Sequence, residues 1–203
     1  RIEYDLDGAL NLLKQAGYTL PAEGGTIRKN EEGVEINFTL IYPDDEQHRM
    51  IAEAIQSDWR ALDIQVELEA VPYDVLVLER LESRSFQAAL VDLNLTQSPD
   101  PDPYPFWDQV QATGGQNYSQ WDHRIASEYL EEARVTLDVN ERARLYRSFQ
   151  VIFNEELPAL PLYYPVYNYG VSKQVLGVSM GPLVDSSDRF STVTAWHILN
   201  APA

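Results

Sequence analysis

Between residues 36 and 95 the apolar side chains alternate between two periods, and this ordering constrains the fold more than any other feature of the chain. Ile36, Phe38, Leu40 and Tyr42 recur every second residue, as in a strand with one buried face. Pro43-Asp44-Asp45 breaks that pattern and opens a helix carrying Met50, Ile51, Ala54, Ile55, Trp59 and Leu62 at helical spacing. A second strand follows, with Ile64, Val66, Leu68 and Ala70 on one face and Gln65, Glu67 and Glu69 on the other, and Pro72 ends it. A short helix over 74–83 carries Val75, Leu78 and Leu81. The run 86–95 is apolar on both faces, which predicts a third strand, central in its sheet. Strand, helix, strand, helix, strand is the order of an α/β layer with parallel neighbours.

Further elements flank this layer. Asp5 can cap a helix with Leu6, Leu10, Leu13 and Ala16 on one face and Gly17 as its stop. Residues 26–28 and 34–40 flank the turn Asn30-Glu31-Glu32-Gly33 as a hairpin. Beyond Gly114-Gly115, Asp122 can cap a helix carrying Ile125, Tyr129, Leu130, Ala133 and Leu137. Asp138 and Glu141 have capping-box spacing for another, with Leu145, Tyr146, Phe149, Ile152 and Phe153 on its apolar face and Pro158 past its end. Residues 159–171, rich in tyrosine, proline and valine, predict extended chain on a sheet edge or crossing between domains. The tail, 181–203, has turn signals without a period. No composition shift marks a boundary, so residues 1–203 are expected to form one α/β domain.

The third strand runs into Gln97-Ser98-Pro99-Asp100-Pro101-Asp102-Pro103-Tyr104-Pro105-Phe106-Trp107. Four prolines in seven residues exclude a central strand or a helix interior and predict an extended, stiff loop. Two readings follow. The carboxylates, phenol and indole suit recognition of a ligand that is cationic and partly apolar. Alternatively, the prolines stiffen a surface turn whose aromatics tuck into the core. Ligands of parallel sheets lie beyond the strands' carboxyl ends, which is where this loop leaves the third strand.

Charge narrows the function classes. Fifteen basic residues against 32 acidic ones give a net charge of -17. Such a surface repels nucleic-acid backbones and anionic lipid headgroups. The absence of cysteine excludes disulfides, thiol catalysis and thiolate metal sites. No apolar run approaches the roughly 18 residues a membrane helix needs, and no signal peptide is visible. The start at Arg1 within a helical pattern suggests a piece of a longer chain.

Catalytic and metal signatures are weak. His48, His123 and His197 are far apart in sequence, and no metal site is expected; His48 and His123, in the first turns of helices, are expected to be solvated. Asp100 and Asp102 alternate, but prolines between them oppose a calcium loop. There is no Gly-x-Ser-x-Gly elbow and no phosphate-cradling glycine loop. Paired carboxylates leave a hydrolase as an alternative, with Asp100 and Asp102 candidates by proximity alone. Tyr163, Tyr164, Tyr167 and Tyr169 are expected to pack against neighbouring strands. Trp59 belongs to a helix's apolar face. Trp107 and Trp121 flank Gly114-Gly115 and either line a cleft or are buried in the core.

In its order of segments the chain resembles the C-terminal lobe of the family 5 extracellular solute-binding proteins, the oligopeptide and dipeptide receptors of ABC importers. The likeness rests on Tyr4-Asp5-Leu6-Asp7 through Leu12-Leu13-Lys14-Gln15-Ala16-Gly17-Tyr18 and on Ala54-Ile55-Gln56-Ser57-Asp58-Trp59 leading into Leu62-Asp63-Ile64-Gln65-Val66. The Asp100-Pro101-Asp102-Pro103-Tyr104 loop with Trp107 is its most specific part. Asn117-Tyr118-Ser119 before Ile125, Leu130, Glu132 and Ala133-Arg134, then Arg142, Tyr146, Gln150 and Leu157-Pro158-Ala159-Leu160-Pro161-Leu162-Tyr163 complete it.

That resemblance implies a type II periplasmic-binding-protein-like lobe, a mixed sheet flanked by helices, closing on an N-terminal lobe of the same parent chain. It implies a non-catalytic receptor without cofactor, periplasmic or extracellular, that hands a peptide to ABC permease subunits and meets the membrane through them or through the parent's anchor, as a lipoprotein does. In peptide-binding members an acidic residue of this loop pairs with the peptide's α-amino group, which implies Asp100 first and Asp102 second. Tyr104, Trp107, Asn117, Tyr118 and Trp121 are the implied neighbours of the ligand. Extra prolines alter the family's usual spacing, so a sugar, a nickel chelate or another small ligand stays open, as does a sensor domain reusing the lobe.

Overall fold

The computed structural model describes residues 3–95, 102–166, 168–181 and 186–198. The chain divides into two compact units, Arg1–Leu93 and Asn94–Ala203. Together they show the expected class, α/β with a parallel sheet flanked by helices.

The first unit opens with α1 (Leu6–Gln15). Asp5 caps it by accepting the Gly8 N–H at 2.8 Å. Its end is a Schellman stop, with Gly17 at φ +86° and the Tyr18 N–H donating to Leu13 O at 2.8 Å. The hairpin that follows is held by isolated bridges, Thr19 to Lys29 and Lys29 to Glu35, and its turn by the Asn30 side chain, which accepts from the N–H groups of Glu32 and Val34.

Strand β1 (Asn37–Pro43) pairs in parallel with β2 (Gln65–Val71) along its whole length, and with β3 (Ala88–Ala89) through Leu40 and Ile41 only. The order β2-β1-β3 makes β1 the centre and β3 an edge, which corrects the expectation that 86–95 is a central strand. An apolar run states that side chains are sheltered, not that both backbone edges are paired. Burial on both faces falls instead on Leu40, Ile41 and Tyr42.

Helix α2 (Glu46–Arg60) crosses between β1 and β2 and covers one face of the sheet. Leu40, Tyr42, Ile64 and Val66 pack there against Ala52, with Ile55, Trp59 and Leu62 beside them. The core stripe is therefore His48, Ala52, Ile55 and Trp59, whereas Met50 is exposed. On the other face, α3 (Tyr73–Val75) passes into a π-helical stretch, Leu76–Leu81. Its i+5 bonds place Leu76 and Leu81 in the core and leave Leu78 exposed, so the expected stripe of Val75, Leu78 and Leu81 is not the one used.

The second unit begins its regular structure with α4 (Tyr104–Trp107), a single turn. The extended proline loop is thus corrected for 104–107: Pro105 lies in the first turn, where a missing N–H costs no helical bond. Residues 96–101, with Asp100, lie outside the described residues. Helices α5 (Arg124–Val135) and α6 (Val139–Glu156) pack against each other through Ala126, Leu130 and Phe149. The cap of α5 is His123 rather than Asp122, and its buried residues are Ala126, Ser127, Leu130 and Ala133, leaving Ile125 and Leu137 exposed. Asp138 caps α6 as expected, its carboxylate accepting the Glu141 N–H at 2.8 Å. Beyond Leu157, which turns the chain at φ +48°, residues 159–166 belong to no strand. Tyr163 and Tyr164 are exposed there, contrary to the packing expected of them; Tyr167 lies outside the described residues. A short antiparallel pair, β4 (Val175–Leu176) and β5 (His197–Ile198), ends the fold.

Candidate ligand-binding site

Six of the seven residues singled out in the sequence are described, and all six lie in the second unit; Asp100 is the exception. Asp102 and Tyr104 stand at the start of α4. One oxygen of Asp102 accepts the Tyr104 N–H at 3.1 Å, and the other lies 3.0 Å from Nε of Arg134, in the last turn of α5. The Arg134 guanidinium carbon is 4.2 Å from the centre of the Tyr104 ring, in cation–π range.

The indoles sit deeper. Trp107 meets Phe153 edge-on at 4.8 Å, and Trp121 meets Phe149 and Phe153 at 6.1 and 5.9 Å. Trp121 is 9% exposed and forms part of the core with Leu130 and Phe149. Its Nε1–H donates to Oε2 of Glu156, which satisfies the one polar group of a buried indole.

Asn117 is fully buried. Its amide nitrogen donates to the carbonyls of Asp108 at 3.1 Å and Trp121 at 2.8 Å. Its amide oxygen accepts from the Trp121 N–H and the Ser119 hydroxyl. Both ends of the amide are occupied by the chain itself, so Asn117 ties the 108–121 loop into one piece. Asp108 is buried too, one carboxylate oxygen accepting the Val110 N–H, and the Gln109 N–H donates to the Ser127 hydroxyl on α5. Tyr118 is half-buried beside this knot.

Neither helix-start histidine is solvated as expected. His48 is 9% exposed, with Nδ1 2.6 Å from Asp45 and Nε2 3.2 Å from Asp92. His123 is half-buried, capping α5 through Nδ1, which accepts the Ala126 N–H at 3.0 Å. Asp92 lies 3.2 Å from Nε2 of His48 and Glu156 3.4 Å from Nε2 of His123, partners too far along the chain for a local reading to name.

Residues 1–118 match the family model described as bacterial extracellular solute-binding proteins, family 5 Middle. The chain belongs to this family. Among curated relatives, the dipeptide-binding protein of Escherichia coli strain K12 is 27% identical over 185 residues, which is 89% of this chain and 32% of that protein. Among solved structures, the oligopeptide-binding protein AppA of Bacillus subtilis, in complex with a nonapeptide, superposes with a TM-score of 0.75 at 22% identity, over 98% of this chain and 38% of the other. NikZ of Campylobacter jejuni, in complex with Ni(L-His), gives 0.72 at 22% identity, over 96% and 39%. The family 5 chain described here thus spans about a third of the length of relatives it matches.

The family 5 residues that sequence reasoning missed are Arg134 as the partner of Asp102 and Glu156 as the partner of Trp121. In the sequence, Arg134 stands out only through the family likeness. A helical register that puts Leu130 and Ala133 inward leaves Arg134 beside them at the helix end, but nothing local names its carboxylate.

Proposed function

We propose that this chain is the C-terminal lobe of a two-lobed receptor that binds dipeptides or oligopeptides in its cleft, outside the cytoplasmic membrane, and passes them to an ABC permease. The observation that carries this reading is the match to family 5 along residues 1–118 together with a dipeptide-binding relative covering 89% of the chain. The receptor works by binding alone: closure of the lobes is shifted by whatever ligand touches both. Among the described residues no helix is long and apolar enough to cross a membrane.

Asp100 is the proposed partner of the peptide's α-amino group. A carboxylate meeting an ammonium in a closed, water-poor cleft makes a charge-assisted bond worth about 1.5–3 kcal/mol. Tyr104, Trp107 and Tyr118, all half-buried, are proposed to flank the ligand. Asn117 and Trp121 support it from beneath, since their polar groups are already engaged within the chain.

Calorimetry on the full-length parent tests the reading. One peptide bound per receptor, with no heat from oligosaccharides or a nickel–histidine chelate, is the expected result. The isolated chain, which offers half of the contacts, is expected to bind the same peptide far more weakly. A parent that takes the sugar or the chelate and ignores peptides overturns the proposal.

A further inference from the structure

In the second unit a carboxylate and an aromatic face already have a cation between them, supplied by the chain. Asp102 Oδ2 is 3.0 Å from Nε of Arg134, and the guanidinium lies 4.2 Å from the centre of the Tyr104 ring. The remaining oxygen, Oδ1, receives the Tyr104 N–H at 3.1 Å, the two-residue return that fixes the start of a turn. Each oxygen of Asp102 therefore has a partner within the chain, one on the backbone of α4 and one on α5.

Arg134 is well suited to this use. Its guanidinium stays charged at any working pH and presents a flat face to a ring while its Nε–H meets a carboxylate. It stands in the last turn of α5, where a cation is favoured by the helix's negative end. The neighbouring residues of α5 hold it in place: Ala133 and Leu130 are completely buried. An ion pair this exposed, with side chains 36% and 46% accessible, contributes little stability alone; its value is geometric. It joins the first turn of α4 to the last turn of α5.

We infer that Asp102 and Arg134 form a positioning brace that sets Tyr104 and the start of α4, and that Asp102 is not the carboxylate that meets a ligand's cation. The inference rests on the proposed peptide-binding reading and sharpens it: Asp102 holds Tyr104 and the first turn of α4 in place and does not meet the amine. Arg134 is the residue this adds to the site, acting through Asp102 and Tyr104.

The test uses the full-length receptor and two peptides that differ only by acetylation of the α-amino group. The wild-type affinity ratio between them measures the amine contact. Asp102→Asn and Arg134→Gln are each expected to weaken both peptides alike, by about threefold to tenfold, leaving that ratio unchanged. The double variant is expected to be no weaker than either single one, because both remove one brace. Arg134→Lys, which keeps the charge, is expected to recover part of the loss. Collapse of the ratio in Asp102→Asn would place the amine on Asp102 and overturn the inference, as would affinities unchanged by either substitution. A receptor that binds neither peptide sinks the peptide reading instead. The brace is then judged by the backbone amide resonance of Tyr104: displacement in both Asp102→Asn and Arg134→Gln supports it, and a resonance unmoved by Arg134→Gln refutes it.

Discussion

The indole N–H of Trp121 donates to Oε2 of Glu156 at 2.7 Å, and the other oxygen of the same carboxylate lies 3.4 Å from Nε2 of His123. One side chain at the end of α6 thereby fixes two rings ahead of α5. Because Nδ1 of His123 already accepts the Ala126 N–H, its proton sits on Nε2, facing Glu156. Trp121→Phe removes the donor and part of a core ring. A loss of about 1–3 kcal/mol is expected, read as a lower urea midpoint at unchanged slope.

Asn117→Ala should cost more than its size suggests. It strips partners from the carbonyls of Asp108 and Trp121 and from the Trp121 N–H. Stranding buried backbone groups predicts about 2–4 kcal/mol in equilibrium unfolding. Asn117→Asp cannot donate to the two carbonyls and buries a charge, so it should be worse than alanine, and a milder effect would contradict the assigned bonds.

Acid should release the start of α2. Asp45 lies below the ordinary carboxylate range because it accepts the His48 N–H at the helix cap and, next, the His48 ring. A depressed acid stabilises the fold above its unfolded pKa, near 3.8, and that contribution disappears as pH falls through the lower folded value. Carboxylates flank both ring nitrogens of His48, Asp45 and Asp92, while the nearby Arg49 is engaged by Glu46 and Glu53. In Asp45→Asn the acid-dependent loss should shrink within the same window; an unchanged acid limb would refute the assignment.

Two glycines should differ in their tolerance of alanine. At Gly115 a Cβ would sit 2.7 Å from the Cα and carbonyl oxygen of Gln111, backbone that cannot step aside. At Gly170 nothing lies within 4 Å. Gly115→Ala is expected to lower stability by about 1–3 kcal/mol, and Gly170→Ala to leave it within about 0.5 kcal/mol. Thermal melts of the two variants side by side decide the matter.

Local chemistry was legible where one stretch of chain decides the outcome. Asp5 and Asp138 cap the helices they precede and Gly17 stops the first, because a cap bonds within its own turn; at α5 the cap falls one residue later than expected, on His123 in place of Asp122. The parallel layer followed from the alternation of periods. Choices settled by distant partners were not legible. Leu40 and Ile41 are central because two strands flank them, and the π register moves burial from Leu78 to Leu76 without changing composition. In the site, the loop, the aromatics and Asn117 were all picked out by sequence. The partners that hold two of them, Arg134 for Asp102 and Glu156 for Trp121, lie far along the chain and have no local signal.

The uneven ladder of the sheet has a dynamic consequence. β1 and β2 share seven register pairs under the crossover helix, whereas β3 adds two, helped by the Gln87 side chain on the Thr39 N–H and by Asp92 on His48. Amide exchange should therefore be slowest in Leu40–Tyr42 and fastest, among the strands of this sheet, along β3. Of the two seams in this sheet, the one between β1 and β3 should therefore open at the lower free energy, leaving the β1–β2 pairing closed.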